Sequence, residues 1–364
     1  MTCKGIRYGT AVYLIFSMVF LMGLWGILAI VSSQAEHAEP LYLAGRQTLF
    51  LFCGLAVMEI VQRIPFEFYR KNWFILCFLA LFSLLALPHA GERINGMCGW
   101  YRIGGFMLQP SELAKGLFLL GCAVTLANRK NERERFCRGT VLALFWCVPL
   151  LLQPDFGTAS VYMASIFFLY FLAGGSWKKL LILGISGTAA GIIFIIKHPY
   201  ARRRFTGLYT DSDPLGAGWH VSQLKLAIAR GGWTGTKMDG AYWSNAYVPL
   251  AYNDSAFATM LETLGFLGTL PILLAGTVLI YTLGSLALQK RLRSENRLLI
   301  AGCALLTAFQ ALLHLSVNVC LIPPTGLTLP LISYGGSSFI GCCFTFGLAL
   351  SAAAENKDSA LNID

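Results

Sequence analysis

The sequence predicts an all-α polytopic membrane protein with about ten transmembrane helices, both termini cytoplasmic and one long external loop between helices 7 and 8. Three observations predict it. Of 364 residues, 56% are hydrophobic and only 13% charged, with mean hydropathy +0.63, too apolar for a water-soluble domain of this length. Apolar runs close to the twenty residues that cross a bilayer recur about ten times. Lysine and arginine gather in alternate connections, as short cytoplasmic loops retain them.

The first run, 12–32, follows Lys4 and Arg7 and is long enough to stay as an uncleaved first helix, with no cleavable signal peptide evident. Runs 43–62 and 73–89 flank Arg63, Arg70 and Lys71, which sets that connection inside. Runs 112–128 and the short 139–153 flank Arg129, Lys130, Arg133, Arg135 and Arg138, and runs 156–174 and 179–196 flank Lys178 and Lys179. Run 256–284 is long enough to tilt or to begin outside the bilayer. Lys290, Arg291, Arg293 and Arg297 precede 298–320, and Lys357 follows 330–353 in a cytoplasmic tail of about 354–364. The connections after the first and ninth runs hold no Lys or Arg. Residues 1–364 therefore read as a single integral membrane domain, and most of the net charge of +10 follows from topology, with no nucleic acid implied.

The chain has 11 cysteines, and Cys53, Cys77, Cys122, Cys147, Cys303, Cys320, Cys342 and Cys343 fall inside the expected helices, where a thiol acts as a small hydrophobe. There is no CxxC spacing and the histidines are scattered, which argues against a zinc site or a disulfide framework. Cys98 stands in an external loop without an obvious partner.

External polar residues concentrate in 90–111 and in a long loop of about 197–255, where a functional site is expected. In the first, several glycines mark turns, Trp100 and Tyr101 suit a membrane interface, and Pro110-Ser111-Glu112 opens a helix in which Glu112 pairs with Lys115 one turn on. In the second, Arg202, Arg203 and Arg204 oppose the charge rule. Either they are a solvated charge run, or they meet a phosphate whose oxygens fit guanidinium donors. Gly231, Gly232 and Gly235 in "GGWTG" permit close approach of backbone to a ligand, without the lysine or spacing of a P-loop.

Two carboxylates stand out in "NAYVPLAYNDSAFATMLETLGFLG". Asp254 lies at the threshold of the eighth helix and Glu262 two turns inside it. From the residues alone, Asp254 reads equally as a helix N-cap and as a base. Eight residues separate the two, about 12 Å along a regular helix and 80° around it, so they cannot share a proton. Glu262 is expected to pair with a buried cation such as Arg46 or Lys115. On the ninth helix Gln310, His314 and Asn318 form one polar stripe suited to interhelical hydrogen bonding. Beyond it, Pro323, Pro324, Gly326 and Pro330 prevent a regular helix near Ser333–Ser338, and Pro154 breaks the chain before Asp155.

The segments "NG…GWYRIGGFMLQPSELAK", "LLQPDFGTA", "GAGWHVSQLKLAIARGG" and "PPTGLTLPLISYGGSS" resemble, in order across roughly 45–350, the signature segments of the SEDS (shape, elongation, division and sporulation) family, the FtsW/RodA/SpoVE-like proteins. The resemblance implies a peptidoglycan glycosyltransferase of the bacterial cytoplasmic (inner) membrane. It would polymerise lipid II, the undecaprenyl-pyrophosphate-linked disaccharide pentapeptide, on the extracytoplasmic face. Its partners would be a class B penicillin-binding protein and other divisome or elongasome membrane proteins. The family's essential aspartate aligns on Asp254 and a family glutamate on Glu262. Where the family commonly has His-Thr-Asp, this chain has Tyr252-Asn253-Asp254, and where paired basic residues are frequent it has Met97-Cys98-Gly99. The second departure puts a phosphate role for that loop in doubt.

Joining an α-linked donor into a β-1,4 glycan requires one inversion, hence a base for the acceptor hydroxyl and a partner for the departing polyprenyl pyrophosphate. Asp254 is the expected base. Arg202, Arg203, Arg204, Arg102 and Lys115 are the expected pyrophosphate ligands, and a Mg2+ or Mn2+ ion could assist, although no dedicated metal cage is visible. Glu262, Glu112, Arg46, Asp155, Gln223, Asn318, Ser333 and Ser337 are expected to support the site. Breaks at Pro154 and Pro330 are expected to shape a lateral groove for the polyprenyl tail. A flippase for lipid II would depend instead on Glu262, His314 and Asn318, and a scaffold recruiting the penicillin-binding protein would need no chemistry.

Overall fold

The computed structural model describes residues 6–33, 40–94, 97–127, 131–197, 202, 206–208, 217–237 and 241–355. Helices α1 (Tyr8–Ser33), α2 (Pro40–Arg63) and α3 (Phe66–Ala90) are followed by strands β1 (Glu92–Ile94), β2 (Met97–Ile103) and β3 (Phe106–Leu108). Then come α4 (Pro110–Leu126), α5 (Glu132–Leu152), α6 (Phe156–Leu172) and α7 (Trp177–Lys197). Two shorter helices, α8 (Ala217–Gly231) and α9 (Tyr242–Tyr247), precede the long α10 (Ala256–Ala287), α11 (Ser294–Asn318) and α12 (Gly336–Ala354).

Among the described residues, 7 helices are long and apolar enough to cross a membrane, and the chain is a membrane protein. Helix α12 is the hub. It is buried almost throughout and packs on α2, α4 and α11, while α10 lies against α1 and α11. Large apolar side chains on α3, such as Phe74, Phe78 and Phe82, face outward instead, as expected of a surface solvated by lipid.

Two expectations need correction. The chain is not purely helical, because 92–108 folds as a three-stranded antiparallel meander in the order β1-β2-β3. A signal for it was present: Gly104-Gly105 is a two-residue connection between short runs that extend on both sides, and Gly104 has φ +60°. The tenth run, expected from 330, begins as helix only at Gly336, since Pro330–Tyr334 forms turns.

Helix α10 is broken at Gly265, where φ is 67° and ψ −179°, a conformation essentially reserved for glycine. A break exposes the helix's own amides and carbonyls, which in an apolar surround must find partners. The "GGWTG" segment supplies them. Phe266 N–H donates to Gly232 O (3.0 Å) and Leu267 N–H to Trp233 O (3.0 Å), while Thr236 N–H donates to Glu262 O (2.9 Å) and Lys237 N–H to Thr263 O (3.1 Å). The glycines expected to approach a ligand thus approach backbone. A Cβ at Gly231 would stand 1.9 Å from Leu261 O, and one at Gly235 2.3 Å from Thr263 O.

Candidate active site

The turn before α10 carries Asp254, half-buried, and its backbone is held at every residue. Ser255 Oγ donates to Pro249 O (3.2 Å), Asn253 N–H to Leu250 O (2.9 Å) and Thr259 Oγ1 to Ala251 O (2.9 Å). Tyr334 N–H donates to Tyr252 O (2.9 Å), Ser333 Oγ to Asn253 O (2.6 Å), Asn318 Nδ2 to Asp254 O (2.9 Å) and Thr259 N–H to Ser255 O (3.1 Å). The donors come from the turn itself, α10, α11 and the irregular 319–335 segment. Leu250, with φ +49°, is kept in a conformation unusual for a branched side chain by these bonds.

Polar residues of α11 organise this end of the bundle. Asn318 also accepts the Ala258 N–H (2.9 Å), so it caps α10 from outside, whereas the positional N-cap, Ser255, makes no capping bond. His314 Nδ1 donates to Leu327 O (2.8 Å), which leaves Nε2 to accept from Asn318 Nδ2 (3.2 Å). Gln310 donates to Thr328 O (3.0 Å), and Thr328 Oγ1 meets Ser338 Oγ (2.8 Å). The stripe thus ties down the irregular 319–335 segment at Leu327 and Thr328, and that segment supports the Asp254 turn through Ser333 and Tyr334.

Several expected site residues are placed elsewhere. Lys115 is 1% exposed, and its Nζ donates to Glu112 Oε2 (2.6 Å) and Gln310 Oε1 (2.6 Å), so it is sealed away from any pyrophosphate. Glu262 does not pair with Arg46 or Lys115. Its carboxylate accepts Trp243 N–H (3.0 Å), Ser244 N–H (2.8 Å) and Ser244 Oγ–H, and its cation is Arg230, 3.6 Å away and half-exposed. It caps α9, an anion at a helix N-terminus. Arg46 Nη2 donates to Gly105 O (2.9 Å), and the guanidinium lies 4.7 Å over Phe106. Arg46, named with Lys115 as a cation for Glu262, is thus held by the sheet instead.

Arg102 is exposed and bidentate on Glu92 (2.7 and 2.6 Å). Its hydrogen bonds hold the Glu92 carboxyl below the ordinary carboxylate range, ahead of their Coulombic attraction. Arg202 is exposed, and Arg203 and Arg204 lie outside the described residues. Asp155 Oδ1 caps α6 by accepting Thr158 N–H (3.0 Å), Gln223 is buried on α8, and Ser337 Oγ accepts Gln109 N–H (2.9 Å), joining α12 to the base of the sheet. Sequence reasoning missed Gln47, whose amide bridges Ser333 O and Gly335 N–H (3.4 Å each), and Thr259, His220 and Tyr334. Of these, Thr259 alone left a trace, as a hydroxyl one helical turn beyond the threshold.

Among the described residues no three His, Cys, Asp or Glu side chains gather, and an ion such as Mg2+ is commonly held by one or two carboxylates together with substrate phosphates and not by a protein cage. Apolar grooves open between the helices. One of about 470 Å³ runs between α3 and α4 beneath the sheet, lined by Leu76, Leu79, Ala80, Tyr101, Leu113 and Leu117. Another of about 440 Å³ lies between α6 and α7. Neither is lined by Pro154 or Pro330.

Residues 10–358 match the model of the family described as "Cell cycle protein", which comprises FtsW, RodA and SpoVE. The chain belongs to this SEDS family. It is 34% identical over 361 residues to the probable peptidoglycan glycosyltransferase FtsW of Thioalkalivibrio sulfidiphilus, covering 95% of this chain and 90% of that protein. It is 31% identical to the protein of the same name from Hahella chejuensis, covering 91% and 87%. Among solved structures, a chain from a study of polymerization and crosslinking by a peptidoglycan synthase complex matches over 100% of both chains, with TM-score 0.79 and 29% identity. The Thermus thermophilus rod shape determining protein RodA matches over 98% and 99%, with TM-score 0.70 and 27% identity.

Proposed function

We propose that this SEDS protein is a peptidoglycan glycosyltransferase that polymerises lipid II into β-1,4 glycan strands, with inversion at the donor anomeric carbon and release of polyprenyl pyrophosphate. The observation that carries the reading is the Asp254 turn. Its main chain is fixed carbonyl by carbonyl, which sets the half-buried Asp254 in a defined place at one end of the bundle. Such a group can take the proton of an acceptor 4-hydroxyl as the hydroxyl oxygen attacks the anomeric carbon and the pyrophosphate leaves, and a positioned base contributes roughly 10²–10⁴-fold. The relatives' names support the reaction class, and the synthase-complex neighbour supports a class B penicillin-binding protein as partner.

In this reading ten helices span the inner membrane, both termini are cytoplasmic, and the sheet, α8, α9 and Asp254 face outward, where the charge rule puts them. Arg202, Arg203 and Arg204 receive the leaving pyrophosphate. Arg102 can contribute by exchanging Glu92 for phosphate, because an exposed ion pair is weakly held. The apolar groove between α3 and α4 suits a polyprenyl tail. The deciding measurement supplies lipid II to the purified chain, alone and with its penicillin-binding partner, and looks for glycan polymer from wild type and Asp254→Ala. A folded Asp254→Ala that polymerises normally refutes the base. Absence of polymer from the partner-bound wild type favours a flippase or a scaffold.

A further inference from the structure

Helix α8 reaches the Asp254 turn at Ser255. Its Leu224 and Ala227 pack with Val248, Ala251 and Ala258 in a small apolar cluster apart from the main core, so α8 and the turn form one packed unit. At the N-terminal end of α8, His220 projects onto Ser255, the residue after Asp254, with Nε2 3.3 Å from Ser255 Oγ. Ser255 is fully buried, and its hydroxyl closes the turn on Pro249 O at 3.2 Å.

A hydroxyl has one proton to give. If Ser255 gives it to Pro249 O, the contact with His220 is a hydrogen bond only when Nε2 carries a hydrogen and donates. With the hydrogen on Nδ1 instead, the Ser255 hydroxyl would turn to the ring and release Pro249. The imidazole therefore decides whether the turn is clasped at its first carbonyl. The other carbonyls are held by backbone and amide N–H groups and by the Thr259 and Ser333 hydroxyls. We propose that His220 is a positioning residue for Asp254, acting through Ser255 by donating from Nε2 so that the serine hydroxyl stays on Pro249 O. The inference rests on Asp254 being the base of the polymerase.

The test gives the full-length protein, alone and with its penicillin-binding partner, a concentration series of lipid II. His220→Ala and Ser255→Ala should each lower kcat about ten- to a hundred-fold, the effect of roughly an ångström of misplacement, and leave KM within about a factor of two. His220→Gln, whose amide can still donate to Ser255 Oγ, should recover kcat to within about threefold of wild type. The double variant His220→Ala/Ser255→Ala should be no slower than the slower single variant, because both cut the same path. An unaffected kcat in His220→Ala, no recovery with glutamine, or multiplying effects in the double variant each overturn the role. If His220→Ala does not fold, Ser255→Ala carries the test, and a normal kcat there overturns it equally. Asp254→Ala in the same assay separates the two failures. If that variant polymerises normally, the base assignment is wrong; if it is inactive beside an unaffected His220→Ala, only the role of His220 falls.

Discussion

Replacing Gly265 by alanine tests the most unusual piece of backbone in the molecule. A Cβ there would stand 2.3 Å from Gly235 N and 2.6 Å from the Thr234 backbone, at a φ of +67° that L side chains rarely adopt. Forcing such a conformation costs about 1–3 kcal/mol. The variant can escape by running α10 straight through, which restores Phe266 N–H to Glu262 O and Leu267 N–H to Thr263 O. That rearrangement exchanges the 4 bonds across the break for those two intrahelical ones, a net loss of roughly 1–3 kcal/mol at 0.5–1.5 kcal/mol per bond. The bond loss weighs against detachment in both proteins and cancels from the comparison, so the strain alone shifts the balance towards detachment of 231–237 in the variant, by about 2 kcal/mol at mid-range, or some thirtyfold more frequent local opening. Hydrogen–deuterium exchange by mass spectrometry reads this directly at Thr236 and Lys237, with Phe266 and Leu267 kept protected inside the straightened helix. Gly284→Ala lies on the same helix with nothing within 4 Å and serves as the control. Protection of Thr236 and Lys237 within about threefold of wild type, under roughly 0.7 kcal/mol, would show that the break does not depend on glycine.

Other outcomes follow from the ion pairs. Lys115→Met strands a buried Glu112 carboxylate and should cost about 3–5 kcal/mol of stability, whereas Glu112→Gln/Lys115→Met should recover most of it; equal thermal midpoints for the single and double variants would contradict this. The Glu92 carboxyl, depressed by Arg102, gains its clasp above the ordinary carboxylate pKa and loses it as pH falls through the lower folded value. Arg102→Ala should therefore raise the Glu92 titration midpoint back to the ordinary range in an NMR titration of labelled glutamate, and an unmoved midpoint counts against the pairing.

The helices were legible because each rests on a local property. Twenty apolar residues between basic connections can do little in a bilayer except form a helix, and α1 to α7 and α10 to α12 lie where the apolar runs are. The supports of Asp254 were not legible for a physical reason. They act on main-chain carbonyls, and no side chain in Tyr252-Asn253 announces that its own carbonyl will accept from Tyr334 or Ser333, about eighty residues on. Glu262 shows the same limit from the other side. Its helical position said that it needs a partner, but the partner, the N-terminus of α9 with Arg230, comes from separate elements whose packing on α10 no local pattern announces. The glycines of "GGWTG" were visible and correctly read as places of close approach, yet glycine does not say what approaches.

Because the threshold turn is held by its carbonyls, the address of the carboxylate is written in the main chain, and the neighbouring side chains are left open to drift. Members of the family commonly place His-Thr before the aspartate, and this chain places Tyr252-Asn253 there. Tyr252 has turned its ring onto Tyr334, 5.7 Å between centroids, while the carbonyls beneath keep their donors. On the proposed function, a lineage can therefore retune what brushes against the sugar at this threshold without moving the carboxylate assigned as the base.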